Sequence, residues 1–259
     1  MNDSLYIAAT GMHMQQKNVD TISNNLANVN TPGFKKGKVS FEDLVYRDMG
    51  GATSAIEAGG QRLWQGSGVA MSAILKSFVA GQLKKTDLPL DVAIEGDGFF
   101  EVVAQEGVSA FSRGGSLMVD KDGFLATSGG QILKPAIHIG LDAKEISIKP
   151  DGRVLVRTRD GGDSLEAGRI ELVRFSDTTG LTPIGGNLYK PTERSGDPIY
   201  GRAGDEGVGT LAQGFVEGSN VNLVDEMVDL MVAQRAYESS VKIIQASDEM
   251  LAMSNNLRK

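Results

Sequence analysis

The two ends of the chain share a helical periodicity that the middle lacks, and this contrast constrains the fold more than any other feature. From Leu5, alternating steps of three and four residues reach Ala8, Met12, Gln15, Val19, Ile22, Leu26 and Val29, all apolar except Gln15. Positions between them, including Thr10, His13, Gln16, Lys17, Asp20 and Ser23, are polar, which is the pattern of a seam on a long amphipathic helix. Thr31-Pro32-Gly33 stops that helix, because proline lacks a donor and drives the residue before it out of helical geometry. The C-terminal end repeats the spacing through Leu223, Met227, Leu230, Gln234, Tyr237, Val241, Ile244, Asp248 and Leu251. Asn222 precedes it as an N-cap, and Asp225 and Glu226 place negative charge in the first turn, where the helix dipole favours it. The pattern predicts a helix from about residue 222 to 257, roughly 50 Å long.

In the middle the period becomes two. Asp122-Gly123 separates SLMV from FLAT, Asp151-Gly152 separates ISI from RVLVRT, and RIELVRF and residues 99–103 read as further strands. The 33 glycines follow no G-x-y period and belong to turns. The expected fold class is α+β: long N- and C-terminal α-helices forming a coiled-coil domain, with a glycine-rich, mainly-β central domain. The expected division is a helix over 1–30, a connecting region over 31–90 with an irregular arm at about 47–68, a β-rich outer domain over 91–218, and a helix over 219–259 that pairs with the first. Periodicity alone leaves two readings of the ends, an ordinary helical hairpin on a sheet or an association surface. Val224, Val228 and Met231 form a second apolar row that a single partner helix cannot cover, and such uncovered surface marks association.

Other classes are disfavoured. A formal charge of −7 and a pI near 5.0, with Lys35-Lys36 and Lys84-Lys85 as the basic pairs, argue against nucleic acid. Zero cysteines exclude disulfides and thiolate metal sites. No apolar run approaches the roughly 18 residues of a transmembrane segment. The N-terminus has neither the basic nor the apolar region of a cleaved signal, so work outside the cytoplasm implies another export route. His13 and His138 are far apart, and HExxH, GxSxG and P-loop patterns are absent. Asp120 and Asp122 in VDKDGF start like a calcium loop but lack its spacing and closing glutamate, so a hairpin turn explains them better. No catalytic, cofactor-binding or metal-binding residue is expected.

Four motifs carry a family resemblance. NNLANVNTPGFK at 24–35 and SNVNLVDEMVDLMVAQRAYESSVKIIQASDEML at 219–251 resemble the terminal signatures of the flagellar rod and hook proteins. DVAIEGDGFFEV at 91–102 and SRGGSLMVDKDGFLATSGG at 112–130 are similar to internal motifs of the same family. The opening segment, running into SFEDLVY at 40–46, is closest to distal rod members, and 259 residues are too few for a typical hook protein. The arm at 47–68 looks shorter than in better-known distal rod members. The resemblance implies a subunit exported unfolded through the flagellar type III apparatus, polymerising with itself into a hollow tube that transmits torque through the periplasm and outer membrane. Its terminal helices would coil together at the inner wall with the β domain outside. Implied partners are proximal rod proteins, the hook protein and the surrounding basal-body rings, with no cofactor. Competing readings are a proximal rod protein, or a secreted β-rich adhesin or carbohydrate-binding module. The last would need clustered exposed aromatics, and Trp64 is the only tryptophan.

The expected assembly seam is Leu5, Met12, Gln15, Val19, Ile22 and Leu26 with Leu223, Met227, Leu230, Gln234, Tyr237, Val241, Ile244 and Leu251. In an antiparallel pair, setting Gln15 opposite Gln234 also faces Leu26 with Leu223 and Leu5 with Ile244; the two glutamines either fix register as buried amides or stay exposed. Subunit-contact candidates are Asn24, Asn25, Asn28, Met231, Arg235, Ile56, Leu63 and Trp64. The asparagines either bond neighbouring groups or mark a solvated helix end. Met231 is adaptable packing between copies or plain core. Arg235 pairs across subunits or with Glu238 or Asp229 on its own helix. The resemblance implies that the arm, anchored by Ile56, Leu63 and Trp64, wedges between neighbours; the alternative is a solvated loop.

Overall fold

The computed structural model describes residues 2–44, 46–48, 64–66, 68–104, 107–140, 142–158 and 164–256. The fold is α+β, with helices at both ends and a mostly-β middle. It divides into two compact units. One contains residues 1–27, 37–75 and 222–259, and the other residues 28–36 and 76–221.

In the first unit, α1 spans Asn2–Ala27 and α2 spans Leu223–Asn256. The α2 cap is as expected: Asn222 Oδ1 accepts from the Val224 N–H at 3.1 Å and the Asn222 carbonyl from the Glu226 N–H at 3.0 Å, with Asp225 and Glu226 in the first turn. α1 stops short of Thr31-Pro32-Gly33, so Val29 lies in a turn and not on the helix. The cause is local. The Asn28 carbonyl accepts from the Thr31 N–H at 3.1 Å and its Oδ1 from the Thr31 hydroxyl at 3.1 Å, which offers the backbone a turn in place of another helical residue.

The same unit holds a nested hairpin. β1 (Gly37–Asp43) pairs with β4 (Val69–Lys76), and β2 (Tyr46–Asp48) pairs antiparallel with β3 (Trp64–Gly66), with Arg47 opposite Gln65. A bond from the Leu44 N–H to the Gly68 carbonyl at 2.8 Å lies between the two ladders. The arm expected over 47–68 is therefore paired strand at its base. Three-residue strands show too few alternations to register as a period. Residues 49–63, and with them Ile56 and Leu63, lie outside the described residues, as does the Trp64 side chain. Gly68, at φ +114°, packs against α1 so closely that a Cβ there would stand 2.7 Å from Thr10 Oγ1.

In the second unit a seven-stranded sheet runs in the order Thr182–Gly185, Leu188–Lys190, Ser109–Ser112, Phe99–Val103, Glu171–Arg174 and Ile199–Arg202, with Leu133–Lys134 also paired to Phe99–Val103. Both hairpins signalled by Asp-Gly are present. Leu117–Val119 pairs with Leu125–Thr127, and Ala143–Ile148 with Arg153–Thr158. Each turn uses the positive φ that glycine tolerates, +80° at Gly123 and +86° at Gly152. Fully buried Val92, Phe100, Val102, Leu125, Val154 and Leu172 centre the main core. A smaller cluster stacks Phe99, Phe111, Phe175 and Tyr189 edge to face, with Phe111 and Phe175 centroids 4.9 Å apart.

Candidate assembly surface and its buried anchors

The helix pair is antiparallel, because Asn25 Nδ2 donates to Glu226 Oε2 at 3.0 Å near one end while Gly11 faces Ser240 farther along. That register sets Asn18 opposite Ala233. On α2 the buried residues are Glu226, Ala233 and Ser247, with Ser240 half-buried in the same seven-residue row; beside them Leu230, Ile244 and Leu251 are half-buried. On α1, Ala8, Ile22 and Asn25 are buried, and Leu5, Met12, Gln15, Val19 and Leu26 are half-buried. Half of the expected α2 seam thus lies on the covered side. Its other row is displaced by one residue from Met227 and Gln234 to Glu226 and Ala233, while Val241 is half-buried beside Ser240. Alanine and serine let two helices approach closely, whereas a search for bulky apolar residues selects their neighbours.

The alignment of Gln15 with Gln234 does not form. The observed register is two residues away, Gln15 is half-buried, and Gln234 is exposed on a groove shared with Gln16, Val19, Asp20, Tyr237 and Glu238. Likewise Leu26 does not face Leu223, which is exposed, because the Asn25–Glu226 bond fixes the neighbouring positions. Asn24 and Arg235 are exposed and Asn28 is half-buried.

The far side of α2 is apolar and uncovered in the single chain. Val224 is 66%, Met231 53% and Val232 61% exposed, and Leu223, Met227 and Val228 are exposed beside them. The second row read from the sequence is therefore present, and Val232 widens it.

The second unit contains a buried ion cluster that sequence reasoning missed. Lys35 (0% exposed), Arg113 (3%) and Glu217 (1%) converge: Lys35 Nζ lies 2.7 Å from Glu217 Oε1 and Arg113 Nε 2.7 Å from Glu217 Oε2. Glu217 Oε1 also accepts from the Gly81 N–H at 2.8 Å. Lys35 Nζ further donates to the Val79 carbonyl, and the Arg113 guanidinium to the carbonyls of Gly98 and Gly96, at 2.9, 3.1 and 2.9 Å respectively. Burial pushes the Glu217 carboxyl up, but Arg113, Lys35 and the Gly81 amide together outweigh it and hold it below the usual carboxylate range. Burial lowers the Lys35 ammonium in spite of its bond to Glu217. Burial, with the Glu217 charge nearby, raises the Tyr189 phenol to about 12. In the sequence, Lys35 stands out only as half of a basic pair with Lys36. The available signal was its place at the end of NNLANVNTPGFK, a motif whose other residues are neutral.

Three family models match successive stretches of the chain. The model for flagella basal body rod protein matches residues 5–35, that for the flagellar hook protein FlgE/F/G D1 domain residues 93–156, and that for the flagellar basal body rod FlgEFG protein C-terminal residues 212–257. Each residue of the ion cluster falls in a different one of these stretches. Matched helical ends with a matched β-rich middle define the flagellar rod and hook class. Among curated relatives, flagellar basal-body rod protein FlgG of Borreliella burgdorferi is 44% identical, with 100% of each chain covered. Caulobacter vibrioides supplies a direct contrast: its FlgG is 36% identical over 98% of this chain and 99% of its own, and its FlgF 30% over 96% and 95%. The chain belongs to the flagellar basal-body rod protein FlgG family, a family of structural rod proteins.

Proposed function

We propose that the chain is a structural subunit of the distal rod of the bacterial flagellar basal body, polymerising with itself into a hollow helical tube that transmits torque. The exposed apolar face of α2 carries this reading. Burying a valine or methionine side chain contributes about 1.5–3 kcal/mol, so covering Val224, Val228, Met231 and Val232 with other copies supplies a substantial driving force. Higher identity to FlgG than to FlgF of the same organism favours the distal type. In this reading α1 and α2 coil with those of neighbours, and Leu5, Met12, Val19, Leu26, Leu223, Met227, Tyr237 and Arg235 complete contacts that a single chain leaves open. The subunit leaves the cytoplasm unfolded through the flagellar type III apparatus, spans from periplasm to outer membrane as a polymer, and meets proximal rod proteins, the hook protein and the basal-body rings. Electron microscopy of concentrated protein tests it. The parent should form tubes, and Val228→Asp with Val232→Asp should abolish them without altering the near-ultraviolet circular dichroism of the monomer. Tubes from that double variant would refute the role of this face.

A further inference from the structure

On the covered side of the helix pair, Asn25 and Glu226 form a polar junction beside small and apolar residues. Asn25 and Glu226 are 1% and 0% exposed, more deeply enclosed than Ile22 or Ala8. Besides donating to Glu226, Asn25 Nδ2 donates to the Gly37 carbonyl at 2.8 Å, and its Oδ1 accepts from the Gly37 N–H at 2.8 Å. Both amide hydrogens are thereby used. The side chain pairs with Gly37 as a strand backbone would, which holds the amide in one orientation as it meets the carboxylate.

The rest of the interface discriminates poorly between alignments. Gly11, Ala233, Ser240 and Ser247 recur at seven-residue spacing or face such positions, and their small side chains leave little relief to resist sliding by one heptad. A slide in one direction would bring Glu226 to Asn18 and Gly11 to Ala233; a slide in the other would carry Glu226 beyond the end of α1. In neither does the carboxylate reach an amide already anchored to Gly37. Only the observed alignment joins all three groups.

We propose that Asn25 and Glu226 are the register-selecting pair of this unit: small and apolar contacts stabilise the helix pair, and the polar junction decides which residues face each other. The selection extends beyond the pair, since the register also fixes which length of the apolar face of α2 the chain presents.

The absence of cysteine makes the idea directly testable in the full chain. Gly11→Cys with Ser240→Cys reports the observed register, because a Cβ at residue 11 stands 3.9 Å from Ser240 Oγ. Gly11→Cys with Ala233→Cys reports the slipped one. The parent should cross-link through the first pair. Asn25→Leu with Glu226→Leu should keep the helical circular dichroism yet raise the ratio of slipped to native cross-link about tenfold or more. Glu226→Gln, which still bonds to an amide, should keep the native register. Retained helicity with cross-linking only through the native pair in the leucine variant would overturn the proposal, since packing would then select register. Loss of helicity in both the leucine variant and Glu226→Met would overturn it as well, by making the junction a source of stability and not of selection.

Discussion

Replacing Glu217 with alanine isolates the electrostatics of the second unit. The substitution leaves two cations, Lys35 at 0% and Arg113 at 3% exposed, facing each other without an anion, and removes the acceptor of the Gly81 N–H. Removing one partner of a buried pair typically costs about 3–5 kcal/mol, because the remaining charge is desolvated and uncompensated. For a unit of this size each kcal/mol lowers the melting temperature by about 2–4 °C, so Glu217→Ala should lower it by roughly 6–20 °C. Near-ultraviolet circular dichroism, sensitive to the packed rings of Phe99, Phe111 and Phe175, measures the transition. Lys35→Met should cost less, since the Arg113–Glu217 pair survives. Acid titration adds an independent check. The folded Glu217 carboxyl is held below its usual value of 4.5, so its stabilisation is present at neutral pH and is lost as pH falls from about that value through the lower folded one. The parent should lose stability in that window, and Glu217→Ala should lose less. A variant melting within about 2 °C of the parent at neutral pH would refute the assignment of this cluster as a principal anchor.

Three other substitutions probe separate links of the argument. Asn222→Ala, which removes the side-chain acceptor of the Val224 N–H, should cost about 1 kcal/mol and reduce helicity measured by far-ultraviolet circular dichroism. Leu230→Asp places a charge on the covered side of α2 and should prevent incorporation into polymer, scored by sedimentation, while the second unit still folds. Asp122→Asn, at an exposed turn position, should shift stability by no more than about 0.5 kcal/mol and leave swimming unchanged.

Periodicity was sufficient to find both helices, the α2 cap and the two Asp-Gly hairpins, because each rests on interactions between residues close in sequence. It failed where partners are remote. The true helix contact uses Ala233, Ser240 and Ser247, whose value lies in being small, and hydropathy does not reward small size. Lys35 and Glu217 are ordinary surface types in ordinary proportions; only three-dimensional proximity makes them a buried pair. β2 and β3 escaped notice because three-residue strands alternate too briefly, and Asn28 ended α1 earlier than the proline did because its turn competes locally with the helix.

The cluster of Lys35, Arg113 and Glu217 also makes the second unit depend on chain completion. Its cations come from the first half of the sequence and its sole carboxylate from residue 217, close to where α2 begins. A chain emerging from its N-terminus holds one or both cations with no anion until Glu217 follows, and one emerging from its C-terminus holds the anion with no cation until Arg113 follows. Neither fragment can enclose its charges at acceptable cost. In a chain emerging from its N-terminus, completion of the native interior therefore waits for nearly the whole polypeptide, and such a chain stays pliable until the strand ending at Glu217 arrives.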